Sequence, residues 1–131
     1  MDSQIFFYGT LKRDIVLAKR NFLQRVVKKA IDIFLDYRYD TFILRGRLFL
    51  MEDESEKYPC MMPDNTGYPI FGELYTVLNS GVIDLIDEYE CVSEGVFVRS
   101  SVIMNGENTI VYTYNKSVTG LPELLTGRFE G

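Results

Sequence analysis

The pair Asn105-Gly106 is the feature that most constrains the fold of this chain. It separates two runs rich in β-branched and aromatic residues, 97–104 and 109–114. An Asn-Gly pair between such runs is the strongest short-range signal for a two-residue β-hairpin. Three further segments have the composition of strands: residues 4–8, 44–51 and 70–77. The chain is therefore predicted to be rich in strands, with hairpin connections.

Two helices are predicted beside these strands. Apolar side chains recur at helical spacing in residues 11–25, and Thr10 is available to cap this helix. The same spacing recurs in a shorter segment that starts at Asn79 or Ser80 and runs through Glu90. The sequence thus predicts a mostly β chain with about two helices.

Three segments are harder to interpret. The apolar positions of residues 26–35 fit a helix and also a buried strand, and we favour the strand. The acidic residues 52–57 are predicted to form a solvated loop, and Pro59 and Pro63 indicate an extended, irregular piece after it. Residues 28–41 match no pattern that assigns them a role.

Length and charge exclude several classes of function. The chain has 131 residues, of which 47% are apolar, so we expect one domain spanning 1–131. No apolar run approaches the roughly 18 residues of a membrane span, and the first residues lack the basic start of a secretory signal. The net charge of −5 argues against nonspecific binding to nucleic acid. We expect a cytoplasmic protein, and leave its oligomeric state open.

The chain contains no histidine, which excludes Ser-His and Cys-His nucleophilic catalysis and every zinc site that relies on imidazole. Its two cysteines, Cys60 and Cys91, are too few for a disulfide framework and lack Cys-x-x-Cys spacing. Any proton transfer must therefore use Glu, Asp, Lys, Tyr or Cys.

Two segments indicate a candidate active site: Tyr8-Gly9-Thr10-Leu11 and the end of the second predicted helix at Glu90. A strand that enters a Gly-containing turn before a helix exposes backbone N–H groups that can hold a carboxylate. A partly buried glutamate at a helix end can act as a base. Each segment also has an ordinary interpretation, as a plain connecting turn and as a solvated carboxylate.

Seven segments, taken in order along the chain, resemble the γ-glutamylcyclotransferase-like proteins, and within them the AIG2-like branch that includes γ-glutamylamine cyclotransferase. The segments are Phe7-Tyr8-Gly9-Thr10-Leu11, Arg45-Gly46-Arg47-Leu48-Phe49, Tyr58-Pro59-Cys60-Met61-Met62-Pro63, Phe71-Gly72-Glu73-Leu74-Tyr75-Thr76-Val77, Ile86-Asp87-Glu88-Tyr89-Glu90, Val96-Phe97-Val98-Arg99 and Val111-Tyr112-Thr113-Tyr114. Their order and spacing make the set specific.

The resemblance implies an α+β fold, with a small, mostly antiparallel β-barrel and about two flanking helices. It also implies a reaction in which the α-amine of a γ-glutamyl group attacks its own γ-carbonyl, releasing an amine and 5-oxoproline. No cofactor or metal is needed. Glu90 would be the general acid/base, and backbone N–H groups around Tyr8, Gly9, Thr10 and Leu11 would hold the substrate carboxylate. Arg99 is a further candidate for substrate binding, and it either pairs with a carboxylate of the pocket or lies on the surface of a strand.

The chain departs from the family pattern beside the site. Cys91 follows Glu90 where the family commonly has glycine, and Cys60 replaces a smaller residue. The chain also lacks the tryptophan that is common near Val111. These differences keep an alternative open: an AIG2-like protein that binds a small molecule without turning it over, or an interaction module.

Overall fold

The computed structural model of the chain describes residues 3–15, 22–54 and 56–131. The regular elements, in chain order, are β1 (Gln4–Phe7), α1 (Phe22–Phe34), β2 (Leu35–Glu52), β3 (Lys57–Pro63), β4 (Tyr68–Val77), α2 (Gly81–Tyr89), β5 (Phe97–Met104) and β6 (Glu107–Tyr114).

The described strands form one six-stranded sheet in the order β3-β2-β4-β1-β6-β5. The pairing of β1 with β6 is parallel, and the other pairings are antiparallel. The sheet curls until its two ends meet. The ring of Tyr58 on β3, at one end, packs 5.8 Å from that of Phe97 on β5, at the other end, and 6.5 Å from that of Tyr114 on β6. The predicted α+β fold, with a mostly antiparallel barrel-like sheet and two helices, is confirmed.

The long strand β2 produces much of this curl. Its first part pairs with β4, and its second part, from Gly46 onward, pairs with β3. The register between β2 and β4 shifts between Ile43 and Gly46, and Arg45 there has a φ of 69°. Such irregularities bend a strand and increase its twist, so the second half of β2 turns toward β5 and β6.

The central strand β1 is buried on both of its faces. Because successive side chains of a strand alternate between faces, Ile5 and Phe7 pack into the apolar cluster that includes α1 and α2. Phe6 and Tyr8 pack into a second cluster on the opposite face. Tyr8 directly follows β1, at the point where the chain turns toward the candidate site.

Residues 115–131 return across the sheet beside β2 and β4. The Leu124 N–H donates to the Leu48 carbonyl over 2.7 Å, and the Phe71 N–H donates to the Gly127 carbonyl over 2.8 Å. Glu123 accepts hydrogen bonds from Arg47, at 2.7 and 2.9 Å, and from the Tyr68 hydroxyl, at 2.8 Å. This segment therefore fastens the face of the sheet that the helices do not cover.

The predicted hairpin and second helix are confirmed. Asn105 and Gly106 have φ values of 53° and 76°, as a type I′ turn requires, and they join β5 to β6. The second helix is α2, and the Asn79 side chain accepts a hydrogen bond from the Gly81 N–H over 2.9 Å at its start.

The strand predicted for residues 26–35 is wrong, because most of that segment belongs to α1. Val27 and Ile31, four residues apart, bury on one helical face against the core. The helix predicted over residues 11–25 is also wrong at its start. Residues 11–15 form turns in which Lys12 and Ile15 donate to the carbonyls of Gly9 and Lys12. The remainder of that segment before Phe22 lies outside the described residues.

Two smaller corrections concern β2 and β3. The segment with Pro59 and Pro63 is a regular strand rather than an irregular piece, and it tolerates proline because β3 lies at an end of the sheet. Residues 28–41, which matched no pattern, form the end of α1 and the start of β2.

Within the described part of the chain, neither helix is long and apolar enough to cross a membrane.

Candidate active site

A cavity of about 750 Å³ opens where β1, β3 and the end of α2 meet. The turn at residues 8–11 forms one wall, and Tyr89, Glu90 and Cys91 form another. The apolar part of the lining includes Phe6, Phe7, Leu11, Leu23, Val96 and Phe97, and the rim carries Glu52, Asp53, Glu54, Glu56 and Lys57. The two segments that sequence analysis singled out, about eighty residues apart, thus face a common space.

The 8–11 turn is held from two sides. The Gln24 side chain, buried on α1, donates a hydrogen bond of 2.9 Å to the Thr10 carbonyl. The Thr10 hydroxyl lies 2.7 Å from the hydroxyl of Tyr89 on α2. Thr10 therefore links the turn to the helix that ends at Glu90, instead of capping a helix of its own.

A buried carboxylate fixes the chain just after this turn. Glu73 on β4 is only 5% exposed. It accepts one hydrogen bond of 2.9 Å from the backbone N–H of Arg13 and another of 3.3 Å from the side-chain Nε of Arg13. The Tyr75 hydroxyl donates to the same carboxylate over 2.9 Å, and the Arg13 guanidinium stacks 3.5 Å above the Tyr37 ring. Glu73 is thus a structural anchor for the turn.

The turn at residues 8–11 lines the cavity and carries backbone N–H groups as hydrogen-bond donors. No described residue accepts a hydrogen bond from the backbone N–H groups of Gly9, Thr10 or Leu11. Consecutive N–H groups in a turn form a concave site that suits an anion. The geometry is therefore compatible with the predicted carboxylate site.

Gly9 is required by space. A Cβ atom added at Gly9 would lie 2.8 Å from Cγ and 3.1 Å from Cδ of Pro59 on β3. The 8–11 turn consequently packs directly against the Tyr58-Pro59 segment. This contact joins two of the motifs that carried the family resemblance.

We expect the substitution Gly9→Ala to weaken substrate or ligand binding. The added methyl group must push the turn away from Pro59, and a displacement of a few tenths of an ångström is expected to raise KM about tenfold. Isothermal titration with 5-oxoproline, or steady-state kinetics, measures this effect. In the double variant Gly9→Ala/Pro59→Ala the clash is absent, so binding should recover. Equal loss in the single and double variants would contradict this explanation.

Glu90 occupies the C-terminal cap of α2. Its N–H donates to the Ile86 carbonyl, while Cys91 donates to Glu88 and Val92 donates to Asp87, both over 3.1 Å. These last two bonds form a Schellman motif, whose residue after the cap adopts the left-handed conformation. Cys91 is that residue, with a φ of 53°. The turn that aims Glu90 is therefore retained although glycine is replaced.

Replacing Cys91 should reveal the strain of this conformation. We expect Cys91→Gly to raise the free energy of unfolding by up to about 1 kcal/mol, because glycine adopts positive φ without steric penalty. Cys91→Val should lower it by a similar amount, because a β-branched residue is disfavoured there. Cys91→Ala controls for loss of the thiol. Urea denaturation measures all three, and an order other than Gly above Ala above Val would contradict the argument.

The environment of Glu90 favours its protonated form. Burial, with a smaller contribution from the negative charge of Asp87, raises the pKa of the Glu90 carboxyl group to about 8. Within the described residues, no group donates a hydrogen bond to this carboxyl group that would offset burial. Burial also raises the pKa of the adjacent Tyr89 to about 12, so that its phenol stays neutral. Glu90 can therefore accept and release a proton near neutral pH.

Arg99 lies outside the cavity lining and points to Asp87. Its Nη1 is 3.1 Å from Oδ2 of Asp87, and the hydroxyl of Tyr112 donates to Oδ1 of Asp87 over 2.6 Å. Of the two sequence-based interpretations of Arg99, the structure favours pairing with a carboxylate near the site. Its predicted contact with substrate stays a prediction.

Residues 5–131 match the model of the family described as gamma-glutamyl cyclotransferase, AIG2-like. The chain belongs to this family. The expectation from the seven motifs is thus confirmed over nearly the whole chain. No curated protein matches the chain.

Solved structures of other proteins share the fold of this chain. An uncharacterized protein from Pyrococcus horikoshii has a TM-score of 0.69 and 18% identity, over 98% of this chain and 90% of that one. The protein ytfP from Escherichia coli has a TM-score of 0.65 and 21% identity, over 96% and 95%. An AIG2-like protein from Mus musculus has a TM-score of 0.63 and 18% identity, over 98% and 88%.

The sequence of this AIG2-like chain suits a structural or solvated role for Glu73 and Asp87, and a core or rim position for Tyr58, Tyr75 and Tyr89. It does not reveal the partners of Glu73 or the contact of Gln24 with the 8–11 turn. A charged residue inside the apolar strand 71–77 was the available signal for Glu73. Nothing in the sequence distinguishes Gln24 from other polar residues of a helix. The described residues contain no cluster of three or more thiol and carboxylate side chains that could hold a metal ion.

Proposed function

We propose that this protein is a γ-glutamyl cyclotransferase that needs no cofactor. In this reaction the α-amine nitrogen of a γ-glutamyl group bonds to its own γ-carbonyl carbon, and the bond from that carbon to the leaving amine breaks. The products are 5-oxoproline and a free amine. The observation that carries the proposal is that Glu90 and the 8–11 turn line the same cavity, where burial raises the pKa of Glu90 to about 8.

Glu90 would move one proton twice. The substrate α-ammonium group must lose a proton before its nitrogen can attack, and the leaving nitrogen must gain one before it departs. A glutamate carboxylate with the ordinary pKa near 4.5 is a poor acceptor for an ammonium proton. Burial raises the pKa of Glu90 to about 8, closer to that of an amine, so the proton transfer costs less free energy. One carboxyl group can therefore serve both steps.

The rest of the catalytic effect would come from positioning. Nucleophile and electrophile belong to the same molecule, so holding the substrate in its cyclising conformation supplies much of the rate. The N–H groups of Gly9, Thr10 and Leu11 would hold the α-carboxylate, while the apolar walls of the cavity limit contact with water. A chain without histidine has all the groups that such a reaction requires.

The alternative is an AIG2-like protein that binds a γ-glutamyl compound without turnover. The replacement of glycine by Cys91 motivates this alternative, but the turn at Glu90 keeps its left-handed geometry. An interaction module without a ligand is the third class. Stabilisation by 5-oxoproline in a thermal shift assay separates the first two classes from the third.

Release of 5-oxoproline from a panel of γ-glutamyl compounds tests the proposal. The panel contains γ-glutamyl-ε-lysine, γ-glutamyl dipeptides, and γ-glutamyl amines whose leaving group is either neutral or carries a second ammonium group. The rim has four acidic residues against Lys57, so the cationic amines are expected to have the lower KM, with a difference that shrinks at high salt. No turnover of any member, with ligand binding retained, would support the noncatalytic alternative.

A further inference from the structure

Asp87 lies three residues before Glu90 on α2, so the two side chains emerge on neighbouring positions of the helix. Side chains from two strands contact the Asp87 carboxylate. The Tyr112 hydroxyl on β6 donates to one oxygen of its carboxylate at 2.6 Å, and Arg99 on β5 lies 3.1 Å from the other. Each oxygen of the Asp87 carboxylate therefore has a partner. Asp87 does not line the cavity, whereas Tyr112 does.

We propose that Asp87 is a positioning residue for Glu90, and that Tyr112 and Arg99 hold it in place and balance its charge. The inference rests on the proposed function for its catalytic meaning. A carboxylate beside Glu90 favours the proton-bound form of Glu90, while the two donors limit how strongly its charge is felt. The backbone of Tyr112 extends the network, because its carbonyl accepts a hydrogen bond from the hydroxyl of Tyr8.

Other groups also face Glu90 and define what the test must separate. Those with an electrostatic influence come from the 8–11 turn, from α2 and the turn after it, and from β6: Tyr8, Asp87, Tyr89, Cys91 and Tyr112. The phenols of Tyr8, Tyr89 and Tyr112 have raised pKa values because they are buried, so they stay neutral near pH 8. Cys91 also has a raised pKa. Asp87 differs from the rest of this set in forming an ion pair, with Arg99.

The test is an NMR titration of the Glu90 side-chain carboxyl resonance, assigned by its absence in Glu90→Gln. We expect Asp87→Asn to lower the midpoint by about one pH unit, a tenfold change in the ratio of the two protonation states. Arg99→Gln and Tyr112→Phe each remove a donor to Asp87 and should raise the midpoint. In the Asp87→Asn background, Arg99→Gln should shift it less than in the wild type, because the ion pair is already absent.

The control is Glu88→Gln, which removes the same charge from an exposed position of α2. It should leave the midpoint unchanged, since residues two apart on a helix point in different directions. Equal shifts in Glu88→Gln and Asp87→Asn, or no shift in Asp87→Asn and Arg99→Gln, would overturn the proposal. Arg99 is on an exposed strand, so its variant keeps the test valid if Asp87→Asn does not fold.

This titration also separates the inference from the proposed function. The titration needs no turnover, so it measures the midpoint of Glu90 even if the protein only binds its ligand. If the protein is active, the pH at which kcat/KM changes should move with the NMR midpoint in each variant, which a merely structural role of Asp87 would not produce. Midpoints that shift while the kinetic profile stays fixed would overturn the catalytic part of the inference.

Discussion

Replacing Glu90 with glutamine is expected to abolish the release of 5-oxoproline, with a fall in kcat of at least about 10²-fold to 10⁴-fold. Glutamine keeps the size and shape of the side chain but can neither accept the α-ammonium proton nor return one to the leaving amine. The loss should appear in kcat rather than KM, because the 8–11 turn, which is the proposed carboxylate site, is untouched. Steady-state kinetics with the best substrate of the panel measures both constants.

The same variant must still fold and bind. Binding of 5-oxoproline by Glu90→Gln should stay within a few-fold of wild type, because its carboxylate would contact the 8–11 turn rather than Glu90. Glu88→Gln, an exposed neighbour on α2, is the matched control and should keep full activity. Turnover by Glu90→Gln within tenfold of wild type would exclude Glu90 as the acid/base.

Both walls of the candidate site were visible in the sequence because each is a continuous motif. Tyr8-Gly9-Thr10-Leu11 and the α2 end at Glu90 need only neighbouring residues to be recognised, and the structure places them in one cavity. The hairpin was equally accessible, since the Asn-Gly preference for positive φ is a local property. Local stereochemistry therefore predicts these features well.

Contacts between segments that are distant in the chain could not be predicted from the sequence. Arg13 and Glu73 lie 60 residues apart, and nothing local to either one indicates that they pair. The choice between helix and strand for residues 26–35 failed for a related reason. Four-residue spacing of Val27 and Ile31 suits a helix, while the adjacent β-branched residues suit a strand, and burial of one helical face against the core decides between them.

Glu90 should also make the stability of the fold depend on pH. Its pKa is about 8 in the folded chain, against an ordinary value near 4.5, so between these pH values the folded state binds the extra proton. Stability is then fully present below about pH 4.5 and is lost as the pH rises through about 8. At about 1.4 kcal/mol for each pH unit, the total loss is of the order of 3–5 kcal/mol.

Urea denaturation of wild type and Glu90→Gln at intervals between pH 5 and pH 8 isolates this contribution. Two other strongly shifted groups titrate outside that window, since the pKa of Glu123 is lowered to about 2 and that of Cys60 is raised to about 12. The free energy of unfolding should fall across the window in the wild type and stay nearly flat in Glu90→Gln. The two curves should therefore diverge with rising pH, leaving the variant more stable than the wild type at pH 8. Parallel curves would show that Glu90 ionises in the folded chain as readily as it does in water, and would remove the basis for its role as an acid/base at neutral pH.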